Sequence, residues 1–173
     1  MRWRCAAIEK RLAQLERPGA QAKCESFDLR EAVERQAAAF GARATAAGLG
    51  LAVAPGGPVP VHADRGLIDQ VVANLLDNAV KYTERGGITV RLGAAPGVAW
   101  CEVEDTGPGI PEDDLPRVFE RFYRVDKARS RAKGGTGLGL AIVKHVLALH
   151  GGTVSARSAV GRGSVFRFEI PGP

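Results

Sequence analysis

Three short stretches of this chain carry residue types at spacings that could handle a nucleotide. Asn74, Asn78 and Lys81 stand at i, i+4 and i+7 of the run Leu67 to Tyr82, so they share one face of a helix. The opposite face, Ile68, Val71, Val72, Leu75, Leu76 and Ala79, is apolar and belongs in a core. Two amides and an ammonium on one stripe could hold a hydrated Mg²⁺ and phosphate oxygens, because Mg²⁺ takes oxygen ligands and keeps several waters. A solvated helix face is the competing reading, although such faces favour Glu and Lys over Asn, a poor helix former.

The second stretch is Asp105-Thr-Gly107-Pro-Gly109-Ile110, an acidic residue at a strand end followed by two glycines that permit close backbone approach to a ligand. Its carboxylate could accept a hydrogen bond from an exocyclic amine such as adenine offers, or the segment could be a plain Asp-X-Gly turn. The third is Gly134-Gly135-Thr136-Gly137-Leu138-Gly139, a glycine run opening the last helix. Free amides and the dipole at a helix N-terminus favour phosphate; a flexible hinge is the alternative, and both can coexist. The spacing is neither G-x-G-x-x-G nor G-x-x-x-x-G-K-[ST], so the dinucleotide-fold and P-loop readings fail. Between the glycine stretches, Phe119 to Arg124 precedes a basic run, Val125 to Lys133; Arg124 is the cation chosen there for phosphate, against a solvated charged loop. His62, His145 and His150 form no metal-ligand spacing and read as structural or surface residues.

The elements that must position these residues follow from composition and periodicity. The 173 residues suit a single domain on a prior of roughly 150 residues each. With 45% hydrophobic and 25% charged residues, the chain is neither disordered nor fibrous. A net charge of +5 suits an anionic ligand and is too small to indicate nucleic acid. Three scattered cysteines allow no disulfide framework, which fits a reducing compartment. No apolar run approaches the roughly 20 residues of a membrane helix.

Residues 3–16 read as a short helix ended by Pro18-Gly19. A strand near Ser26 to Leu29 leads into a helix capped by Asp28 and running to about Ala46. Leu49 to Ala54 and Val59 to His62 read as two strands joined by a Pro-Gly-Gly-Pro turn. The helix Leu67 to Tyr82 is followed by Ile88 to Leu92 and Val98 to Glu104, an antiparallel pair. Residues 107–136 read as a long loop with a short helix at Asp113 to Phe119; a helix at Gly137 to His150 and a closing pair, Thr153 to Ser158 with Ser164 to Ile170, complete the chain. The order predicts a two-layer α/β sandwich, in which a mixed, mostly antiparallel sheet packs against three helices.

Taken together, the stretches resemble the catalytic and ATP-binding domain of sensor histidine kinases, in the GHKL (Bergerat-fold) ATPase superfamily. Asn74-Leu-Leu-Asp-Asn78-Ala-Val-Lys81-Tyr82 resembles its N box, Asp105 to Ile110 its first glycine box, Phe119 to Arg124 its F box, and Gly135 to Leu140 its second glycine box. Gly161-Arg-Gly163-Ser164-Val-Phe166 resembles the closing strand motif. The resemblance implies ATP and Mg²⁺ as ligands. Asp105 would recognise the adenine amine, Tyr82 and Ile110 would line the base pocket with Gly107 and Gly109 beside them, and Asn78 with Asn74 would hold the metal. Lys81 and the Gly135, Thr136, Gly137, Leu138 and Gly139 amides would meet the phosphates, with residues 107–136 as an ATP lid.

The resemblance further implies transfer of the γ-phosphoryl to a histidine on a dimerisation domain of the same or a partner chain, with a response regulator downstream. No histidine here opens a His-Glu/Asp-x-Arg/Lys acceptor motif, so autophosphorylation would need that other domain. Residues 1–25 are expected to be the tail of a dimerisation helix and its linker, as in an excised fragment or a shortened gene product, and 26–173 the catalytic unit. The expected location is cytoplasmic, without membrane contact or nucleic acid. Rival readings are an ATP hydrolase of the superfamily, which would use a glutamate where Asn74 stands; a serine-kinase anti-sigma factor; and a non-catalytic interaction module.

Overall fold

The computed structural model describes residues 22–126 and 135–172, so the expected helix at 3–16 lies outside the described residues. Strand β1 (Glu25–Asp28) leads directly into helix α1 (Leu29–Ala46). Asp28 caps that helix as expected, its carboxylate accepting from the Arg30 amide at 2.9 Å. Strands β2 (Gly50–Val53) and β3 (Pro60–Ala63) precede helix α2 (Arg65–Tyr82), which Asp64 caps through the Leu67 amide. Strands β4 (Gly87–Ala95) and β5 (Val98–Asp105), a 3₁₀ helix (Glu112–Arg117), helix α3 (Gly139–Leu149) and strands β6 (Thr153–Ala159) and β7 (Gly163–Pro171) follow.

Five strands form one sheet in the order β2-β4-β5-β7-β6, in which only the β2–β4 pairing is parallel, and α1, α2 and α3 supply the helical layer. This is the expected α/β sandwich. The two strands expected to be joined by a turn exist but do not pair with each other: β2 pairs with β4, and β3 pairs antiparallel with β1 in a separate two-stranded sheet. The cause is Arg30, a buried arginine whose Nε donates to Gly57 O (2.7 Å) and Nη1 to Ala54 O (3.0 Å), holding the intervening segment away from a tight hairpin.

Period-two alternation in β5 puts Ala99, Cys101 and Val103 against the helices and Trp100, Glu102 and Glu104 on the open face. On that open face Arg91 pairs with Glu104, and Arg157 and Arg167 with Glu102. Helices α1 and α2 are tied by Glu31–Arg65, Arg35–Asp69 and Arg43–Asp77, each pair 34 residues apart, a constant offset that requires the two helices to run parallel. Such half-exposed pairs set register more than stability.

Candidate functional site

Asp105 takes the last inward position of β5, so the alternation that buries Val103 also buries this carboxylate at 7% exposure. Burial pushes its carboxyl above the usual carboxylate range; the amides of Gly107 and Ser164 oppose that shift, and Glu104 adds to it. The Gly107 N–H donates to Asp105 Oδ1 at 2.8 Å, which folds the glycine turn back over the strand end. A Cβ on Gly107 would stand 2.8 Å from Asp105 Oδ1 and 3.2 Å from Tyr82 O, so the first glycine turn packs on the C-terminal end of α2 with no room for a side chain.

The second glycine run meets the same helix further back. A Cβ built on Gly139 lies 3.7 Å from Asn74 Oδ1 and 3.8 Å from its Cγ, so the Asn74 amide faces the start of α3. Leu138 precedes α3 without a side-chain cap, so amides of its first turn point outward. Asn74 Nδ2 is buried without a hydrogen-bond partner among the described residues. Asn78, one turn on, is half-buried on the same face. Lys81 is placed by Asp77, which accepts from its Nζ and also from Arg43 Nη2 at 2.9 Å.

Tyr82 and Ile110 are half-buried at the first glycine turn, and the Ile110 N–H donates to Ser158 Oγ at 2.8 Å. Gly109, at φ +74°, lies so close to β6 that a Cβ would come within 2.0 Å of Ala159 O. Gly137, at φ +72°, packs on Phe122, whose N–H donates to Gly137 O at 2.8 Å, so the F-box segment and the second glycine run meet back to back. Leu138 N–H donates to Thr136 Oγ1 at 3.3 Å, and Gly135 is half-buried beside it. Arg124 is half-buried just past Tyr123. The expected lid and basic run include residues 127–134, which lie outside the described residues.

Sequence reasoning missed Ser158 and Asp77, which bond the expected site residues Ile110 and Lys81, and Thr106, which stands between Asp105 and Gly107 and bonds Arg85 and Gly87. The i,i+4 spacing of Asp77 and Lys81 was a usable signal. A lone serine in β6 was not.

No described helix is long and apolar enough to cross a membrane, and no group of three or more His, Cys, Asp or Glu could cage a metal among the described residues. The donors that fit Mg²⁺ are the amide oxygens of Asn74 and Asn78, two at most, so an ion there would complete its shell with water and nucleotide phosphate.

The family described as histidine kinase-, DNA gyrase B- and HSP90-like ATPase matches residues 63–173. The chain belongs to that family. The sensor-like histidine kinase SenX3 of Mycolicibacterium smegmatis is 51% identical over 112 residues, 64% of this chain and 29% of its own length. WalK of Bacillus subtilis, a sensor histidine kinase, is 44% identical over 114 residues, 64% of this chain and 19% of its own. This family member thus spans under a third of the length of these curated relatives. Among solved structures, the mycobacterial sensor histidine kinase MprB superposes with a TM-score of 0.74 at 34% identity, covering 86% of this chain and 97% of that one. ShkA, solved in complex with AMPPNP, superposes with a TM-score of 0.86 at 33% identity, covering 97% of this chain and 35% of that one. The fold and family are those of histidine kinase catalytic domains.

Proposed function

We propose that residues 26–173 bind Mg²⁺-ATP and deliver its γ-phosphoryl to a histidine on a separate dimerisation domain, in a two-component pathway that continues to a response regulator. The observation that carries this reading is that both glycine turns pack on one helix, the first at Tyr82 and the second at Asn74. Eight residues of helix separate these contacts, about 12 Å along the axis, a distance an extended nucleotide spans from base to terminal phosphate. Asp105 then meets the adenine amine between Tyr82 and Ile110, with the Gly107 and Gly109 backbone beneath the base. Asn74 and Asn78 hold the metal. Lys81, Arg124 and the Gly135, Thr136, Gly137, Leu138 and Gly139 segment face the phosphates. A Mg²⁺ held by these amides would offset phosphate charge, while the protein's own residues orient the nucleotide for transfer. Residues 1–25 are assigned to the end of the dimerisation helix and its linker, and the domain to the cytoplasm.

Calorimetry on the purified chain tests this. ATP should bind with an affinity that falls when Mg²⁺ is removed, phosphate release should be slow, and a supplied dimerisation domain should become phosphorylated. A folded chain that binds no nucleotide overturns the reading, and rapid hydrolysis without an acceptor moves the chain to the hydrolase branch.

A further inference from the structure

The turn from Asp105 to Ile110 is held on two sides by hydroxyl groups that no motif assigns. On one side Thr106 Oγ1 donates to Arg85 O at 2.8 Å and accepts from the Gly87 N–H at 3.0 Å, while the Thr106 N–H donates to Gly87 O at 3.2 Å. Gly86 adopts φ +91° beneath it, where a Cβ would lie 2.3 Å from that hydroxyl oxygen, so only glycine admits the contact. Thr106 therefore fastens the turn to the segment that leaves α2.

On the other side Ser158 Oγ donates to Gly163 O at 2.7 Å, accepts from the Ile110 N–H at 2.8 Å and lies 3.0 Å from Ser164 Oγ. A hydroxyl has one proton and two acceptor positions. With its proton on Gly163, Ser158 must accept from Ser164, so all three positions are filled and the oxygen has one orientation. The Gly161 N–H donates to Pro108 O at 2.7 Å, closing the hairpin onto the same turn. Ser158 thus ties Ile110 to Ser164, the residue whose amide stands against the Asp105 carboxylate.

We infer that Ser158 and Thr106 are positioning residues that fix the height and tilt of this turn, and so set how strongly the domain prefers adenine over other bases. The inference rests on the nucleotide-binding reading above. It assigns them to the base end of the site alone, because neither touches Asn74, Asn78 or Gly139.

Calorimetric affinities for ADP without metal, Mg²⁺-ATP and Mg²⁺-GTP, with melting curves as a fold check, test it on Ser158→Ala, Thr106→Val and Thr106→Ser. Each hydroxyl-deleting variant should weaken ADP and Mg²⁺-ATP by the same factor, about five- to tenfold from one lost hydrogen-bonding group. GTP should change less, so the preference for ATP over GTP narrows, and Thr106→Ser should restore it. Thr106 is exposed, so its variants report even where Ser158→Ala fails to fold. Unchanged adenine-nucleotide affinity, or equal losses for ATP and GTP, overturns the inference while the proposed function stands. A parent chain that binds no nucleotide overturns both.

Discussion

Asp105, proposed to meet the adenine amine, carries a cost to the fold. A carboxyl whose folded pKa is raised keeps its proton more firmly in the fold than in the unfolded chain. The sign follows: the fold is favoured while the group is protonated, and loses that advantage as pH rises through the raised value. Asp105→Asn, which keeps an acceptor for Gly107 without the charge, should therefore melt at a higher temperature than the parent at neutral pH. The gap should shrink as pH falls into the carboxylate range, and calorimetry should show weakened ATP binding. A gap that widens in acid would contradict the burial argument. Asn78→Ala is expected to remove the metal-dependent part of ATP affinity while leaving metal-free ADP binding and stability within about 0.5 kcal/mol; titrations with and without Mg²⁺ separate the two. Asn74, Asn78 and Asp105 were legible in the sequence because a helix period or a strand end fixes where such residues point. Ser158 and Thr106 were not, since their partners are backbone atoms of strands and turns whose approach no local spacing encodes.

At the scale of elements, caps and alternation were readable and pairings less so. Asp28 was legible as a cap, but its Oδ1 also accepts from the Val59 N–H at 2.8 Å, joining α1 to the residue before β3. Its truncation should therefore cost more than an ordinary cap. Asp28→Ala is expected to lose about 2 kcal/mol in urea unfolding, the upper end for cap removal, and a loss below about 0.5 kcal/mol would mean that the loop amide finds another acceptor. The separation of β2 from β3 was hidden because Pro-Gly-Gly-Pro reads as a turn, whereas the decisive contact comes from Arg30, some 25 residues upstream. The parallel course of α1 and α2 likewise emerges only when pairs of constant offset are seen across the interface.

At the scale of the whole molecule, the core offers a native reporter. Cys101 is fully buried in the middle strand of the sheet, and burial pushes its thiol up to about 12. In a Cys5→Ser, Cys24→Ser background, thiol labelling should proceed only through global unfolding, and saturating Mg²⁺-ATP should slow it by the factor that ligand binding adds to stability. Labelling at the rate of a free thiol would show that β5 opens locally. The sandwich itself was legible because its element order admits few arrangements; the small β1–β3 sheet was not, since two four-residue strands far apart in sequence carry little signal. That small sheet also has a mechanical meaning. Asp64 gives one carboxylate oxygen to the Leu67 amide and the other to the Lys23 amide, and its own N–H donates to His150 Nε2, whose Nδ1 faces Val146 O. A tug on the chain at Lys23 is therefore resisted first at the cap of α2 and the end of α3. Force entering there reaches the two helices that border the proposed nucleotide site before it strains the five-stranded sheet.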